Sequence, residues 1–274
     1  MKRPLRQLRS PKVDAVTLSS LQKNALEYIL RTNGFHVECE TKPSWVAADA
    51  TFAPGRCFLA YDLENQDRII AATSLQHVAQ ALIGEGHQPI AEVKLPNEAV
   101  QAFGAENQEQ AHKLVRRLFQ LSKSLPTAPL DTYRQKIRAL PTTTEAERTV
   151  IQRIGQDIFR EALLDFWAGR CAVTGLDQPE LLRASHMKPW AACASDEERL
   201  DPFNGLLLAV HWDAAFDCGL VSFDDDGSVL FSSALTSAGH TLLDTDINRS
   251  KSGFSVRPEH RPYLHHHRGH IWQK

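Results

Sequence analysis

Apolar positions recur at helical spacing in three stretches of this chain. From Ser19 to Arg31, Leu21, Ala25, Tyr28 and Ile29 share one face, and Asn33-Gly34 supplies a stop. From about Gln108 to Leu125, Leu114, Val115, Leu118 and Phe119 form an amphipathic stripe. The third helix is predicted from Thr144 to about Trp167, where Ile151, Ile154, Ile158, Ala162, Phe166 and Trp167 recur and Gly169 ends the pattern. Its start carries Thr144-Glu145-Ala146-Glu147, a capping box in which each end satisfies the other's backbone N–H.

Shorter apolar runs read as strands at His36–Glu40, Trp45–Ala48, Cys57–Leu63, Arg68–Thr73 and Pro89–Leu95, with a helix at Leu75–Leu82 stopping near Gly84. Pro126–Thr143, with a short helix near Tyr133–Arg138, reads as a linker region. Beyond Gly169 the pattern changes. Cys171–Thr174 leads to a turn at Gly175 and a strand Leu181–His186. A polar loop from Ala192 to Pro202 and a buried strand Leu206–Val210 follow. A short helix Trp212–Asp217 precedes a hairpin built from Leu220–Phe223, a turn at Asp224–Gly227, and Val229–Ser232. The expectation is an α+β protein: a mixed α/β module over residues 1–140 whose role the sequence leaves open, DNA binding and sensing being two candidates, then a second domain over 145–274.

The chain has 274 residues, long enough for two domains, and an ordinary globular composition. No apolar run is long enough to span a bilayer, and the basic start MKRPLRQLRSPK lacks a secretory core. Five widely spaced cysteines without a CxxC pair exclude a disulfide framework and a zinc ribbon, and point to a cytoplasmic protein with reduced thiols. Cys171 and Cys218 read as small packed hydrophobes. The net charge of −2 conceals an asymmetry: up to Thr144 there are 18 Lys/Arg against 14 Asp/Glu, and thereafter 13 against 19. Long-range attraction for nucleic acid would then come from the first half, including a flexible basic arm at residues 1–12, while the acidic half suits a cation.

The acidic half holds His186, Asn204 and His211, in that order, around the strand–loop–strand–helix pattern. Hydrolysis of a phosphodiester needs an activated water, charge neutralisation on phosphate and help for the leaving oxygen. A neutral imidazole can supply the first and one divalent cation the others. His186 ends its strand beside Lys188-Pro189 and is the candidate base. Arg183 and Lys188 flank it as candidate phosphate contacts. The Asn204 amide can bond backbone across the loop and hold His186 in place. Asp213 and Asp217, at i and i+4, can face one cation, with His211 just before them.

At these residues the chain resembles the HNH endonuclease family, whose core is the ββα-metal fold, and more narrowly its restriction-type branch. The motifs are CAVTG, SHMKPW, LDPFNGLLL and HWDAAFDCGL, preceded by RIGQDIFR; the likeness covers about residues 145–274. It implies that His186 is the general base, Asn204 the orienting residue, Asp213 a metal ligand nine positions after the Asn, and Asp217 a second ligand. His211 is the third letter of the motif. Ser185 stands where a metal-binding Asp or His often precedes the base, and the zinc-binding cysteine pairs are absent. The ligand set therefore stays open among Asp213, His211 and Asp217. Oxygen and imidazole ligands imply Mg²⁺ or Mn²⁺. The resemblance implies a DNA substrate, no membrane partner and a bacterial restriction or phage-defence setting, and leaves a homodimer open. A second reading is a nucleic-acid-binding or ligand-sensing protein whose HNH domain is inactive or gated. The aromatic-rich YLHHHR near the end (Tyr263–Arg268) is expected to be native structure packed on the second domain rather than a metal site.

Overall fold

The computed structural model describes residues 18–62, 68–91, 93–125, 127–138, 140–141, 144–250 and 255–274, and the basic arm expected at residues 1–12 lies outside them. The chain divides into two compact units. One comprises residues up to 51, 55–79 and 86–116; the other comprises 52–54, 80–85 and 117–274.

The first unit is an antiparallel meander of five strands in sequential order, with helices. Helix α1 (Ser20–Thr32) is followed by β1 (Val37–Thr41), β2 (Val46–Asp49), β3 (Arg56–Tyr61) and β4 (Ile69–Thr73). Then come α2 (Gln76–Gly84), β5 (Gln101–Ala105) and α3 (Gln108–Ser124), the last two helices each crossing into the second unit. The stripe of α1 that is buried is Leu26, Ile29 and Leu30, whereas Leu21 and Tyr28, expected on the apolar face, are exposed. Strand alternation sorts the sheet residues onto two faces. Ala47, Phe58, Ala60, Ile70, Ala72 and Ala102 form one face, under Ile90, Val93 and Leu95. Val46, Leu59, Ile69, Ala71 and Phe103 point the other way and are also buried, which is why β4 reads as an unbroken apolar run.

Pro89–Leu95 is not the strand expected from its apolar content. Among the described residues it makes one bridge, Pro89 to Phe103, with Ile90 N–H donating to Ala102 O at 2.9 Å, and its apolar side chains lie across the sheet. The fifth strand is Gln101–Ala105, paired along β4.

The second unit contains α4 (Ala128–Ile137), α5 (Glu145–Phe166), β6 (Leu182–His186), α6 (Asp196–Leu200), β7 (Gly205–Ala209), α7 (Val210–Asp217), β8 (Val221–Phe223), β9 (Val229–Phe231), α8 (Ser237–Ser250) and α9 (Arg261–His270). The capping box opens α5: Glu147 N–H donates to Thr144 Oγ1 at 3.2 Å and Thr144 N–H donates to Glu147 Oε2 at 2.8 Å. Such a cap contributes about 1 kcal/mol. The helix closes through Ala168 and Gly169, both at positive φ.

Strands β6 and β7 pair antiparallel, His186 opposite Gly205 and Ser185 opposite Leu206. Every residue of β7 is buried, since α5 and α7 both pack against this strand. A Cβ on Gly205 would lie 2.6 Å from Phe159 Cζ and Leu163 Cδ1, so the absence of a side chain there lets α5 approach. The polar loop 192–202 contains α6, a helix its short, charged sequence concealed. The Asp224–Gly227 segment is the hairpin turn, with Asp224 N–H donating to Ser228 O at 2.8 Å and Gly227 at φ 89°. Helix α9 carries His265–His267 and docks on the core through Leu264 and His267. All five cysteines are free; Cys171 is buried as expected, but Cys218 is exposed just past the end of α7 and is not a packed hydrophobe.

Candidate active site

His186 and Ser185 are the last two residues of β6, so their side chains leave the strand on opposite sides. His186 turns toward α5. Its ring stacks on Phe159 with centroids 3.7 Å apart, and Trp190 meets it edge-on at 5.8 Å. Nε2 lies 2.9 Å from the Arg199 carbonyl, which can only accept. The proton therefore sits on Nε2 and the Nδ1 lone pair is left to take up a proton. Burial pushes the imidazolium down to about 4, against a smaller opposing effect of the Arg199 carbonyl, so the ring is neutral at physiological pH.

The Arg199 carbonyl is itself held. The Arg199 guanidinium bonds Asp196 Oδ1 and Cys193 O at 2.9 Å each, and Trp190 O at 3.3 Å. These bonds fold the 190–200 loop onto the strand end. Asn204 completes that fold from inside. Fully buried, it accepts from Lys188 N–H at 2.8 Å and donates from Nδ2 to Lys188 O at 3.1 Å and Glu198 O at 3.0 Å. Its main-chain carbonyl also accepts from Met187 N–H at 2.9 Å. One amide thus fixes the backbone on the C-terminal side of His186.

Ser185 turns toward α7, where its hydroxyl donates to Asp213 Oδ1. Asp213 and Asp217 lie one turn apart on one face of α7. The Asp217 carboxyl is pushed up to about 6, first by burial and then by the Asp213 charge. Two carboxylates that resist joint ionisation form a strong acceptor for a hard cation.

His211 is not brought to this pair. Two residues from Asp213, it lies about 200° around the helix. Its Nε2 is 2.5 Å from Asp246 Oδ2 of α8, and Trp212 Nε1 donates to the same oxygen at 3.1 Å. Lys188 is engaged with Glu198 at 2.7 Å. Arg183 bonds the carbonyls of Glu180 and Leu182 at 3.1 and 3.0 Å and is exposed. Among the described residues no three His, Cys, Asp or Glu side chains are arranged as a metal site. Phe159, Arg199 and Asp246 carry geometry that the sequence did not single out. Phe159 adjoined the predicted apolar stripe; Arg199 acts through its backbone, which no side-chain pattern reveals.

The finger of β6 and β7 thus carries a neutral histidine on its α5 side and an acidic pair on its α7 side. Residues 171–224 match the HNH endonuclease family, and the C-terminal half of the chain carries that domain within an α+β fold. No curated protein matches the chain. The match supports nuclease activity in general, and HNH nucleases generally use a divalent metal. Among the described residues no helix is long and apolar enough to cross a membrane.

Proposed function

We propose that the chain is a metal-dependent DNA endonuclease of the restriction or phage-defence type, with His186 as general base and Asp213 and Asp217 as metal ligands. The observation that carries this is the acidic pair one turn apart on α7, where burial and the Asp213 charge push the Asp217 carboxyl up to about 6. All-oxygen donors fit Mg²⁺ or Mn²⁺, which bind through one or two carboxylates and leave positions for water and phosphate. When bound, such an ion neutralises charge on the scissile phosphate and its leaving oxygen.

The protein's own groups do the rest. His186 Nδ1 takes a proton from the attacking water, its ring held by Phe159 and the Arg199 carbonyl. Asn204 keeps the backbone at Lys188 in place. Arg183 meets phosphate oxygens, and Lys188 does so by leaving Glu198. The N-terminal unit senses or holds DNA. A second reading, an inactive or gated HNH domain, is favoured by one feature: Ser185 offers Asp213 a hydroxyl where a third ligand would serve.

Incubation of supercoiled plasmid with the full chain in Mg²⁺, Mn²⁺ or EDTA tests both. Cutting that needs the metal and is lost in His186→Ala and Asp213→Asn supports the nuclease. Retained DNA binding without cutting in Mn²⁺ supports the inactive reading. Equal cutting by His186→Ala removes His186 as base.

A further inference from the structure

We infer that Asp246 is a positioning residue for the metal-binding face of α7, acting through His211 and Trp212 from outside the segment that matches the HNH family. The inference rests on the proposed role of Asp213 and Asp217. Helix α7 has two turns, and its N-cap, Ala209, makes no side-chain cap. A helix so short has little stability of its own, and its rotation about its axis is set by what it touches. Asp213 touches Ser185 on one side. On the other, both side chains preceding Asp213 converge on a single oxygen, Asp246 Oδ2: His211 Nε2 at 2.5 Å and the indole N–H of buried Trp212 at 3.1 Å.

Because His211 and Asp213 diverge by about 200°, the roll of the helix that seats His211 on Asp246 is the same roll that aims Asp213 at Ser185. The third letter of the motif then acts by holding the helix rather than by binding the ion. Outer partners of this kind change metal affinity more than fold, because they fix the orientation of the ligands.

The test is a titration of the full chain with Mn²⁺ alone, without DNA, for wild type, Asp246→Ala, Asp246→Asn and Asp213→Asn. Circular dichroism and thermal melting are followed in parallel. Asp246→Ala is expected to bind Mn²⁺ about 10–100-fold more weakly, with saturating Mn²⁺ restoring cleavage to near the wild-type rate. Asp246→Asn, which keeps the shape and one acceptor oxygen, decides the matter should the alanine variant fail to fold; it is expected to show the same loss to a lesser degree. Lower melting temperature with unchanged Mn²⁺ affinity in a folded Asp246 variant overturns the inference, and leaves the metal site intact if Asp213→Asn still abolishes uptake. Absence of Mn²⁺ uptake by the wild type removes the site itself and this role with it.

Discussion

The imidazole of His186 lies flat on the ring of Phe159, with centroids 3.7 Å apart and planes 13° from parallel. The stack covers one face of the ring, and burial lowers the histidine from 6.5 to about 4. A base acts in its deprotonated form, so activity is lost only as pH falls through the folded pKa. At saturating Mn²⁺, kcat/KM is expected to hold from neutral pH down to about pH 5, where an ordinary histidine would be largely protonated. Phe159→Ala wets the ring and should move the acid limb up toward 6.5. A wild-type limb already centred at 6.5 would contradict the stack as the controlling feature.

Asn204 makes three bonds from its side-chain amide to main-chain atoms, all inside the protein. Asn204→Ala leaves the Lys188 N–H and two carbonyls without that partner, at a cost of about 2–4 kcal/mol by the usual penalty for buried unsatisfied groups. Asn204→Asp is expected to be no better, since a carboxylate cannot donate to Lys188 O and Glu198 O. Urea denaturation of both variants measures this. An aspartate variant as stable as wild type would show that the loop is held elsewhere.

Much of this was legible in the residues. The order of His186, Asn204 and the Asp213–Asp217 pair located the finger and its helix, since periodicity and turn chemistry both mark element ends. The capping box at Thr144 and the stop at Gly169 likewise bounded α5, because local hydrogen bonding decides such ends. What stayed hidden depends on long-range contact. His211 looked equivalent to Asp213 in sequence, and only the helical rotation and the arrival of Asp246, 35 residues later, separate them. Strand β5 was missed because Gln101–Ala105 is short and contains a glycine, whereas Pro89–Leu95 has the apolar content but meets β5 at its start, through Pro89 and Ile90.

His267 is fully buried, between Ser222 Oγ at 2.9 Å and Phe216 O at 3.1 Å, and stacked on Phe216. Burial lowers it to about 4. The unfolded chain therefore binds a proton near 6.5 that the folded chain refuses. The stability this neutral ring contributes is present above pH 6.5 and is lost as pH falls from there toward 4. The full loss is on the order of 3 kcal/mol. Melting temperatures should be flat above pH 7 and decline between pH 6.5 and 4, with a shallower decline in His267→Gln. Equal slopes in both proteins would assign the acid sensitivity to other groups.

Ser185 is the position where a change should separate the metal's contribution from the fold's. It is buried against Asp213, whose charge also acts on Asp217. Ser185→Asp adds a third carboxylate to a pair that already resists double ionisation. In EDTA the variant is expected to be less stable than wild type by about 1–3 kcal/mol, since like charges are confined together. With Mn²⁺ the order should reverse, because three carboxylates hold a hard dication better than two. The observable is the metal-induced rise in melting temperature, larger in Ser185→Asp than in wild type. A variant destabilised in EDTA but gaining nothing from Mn²⁺ would place the ion away from α7.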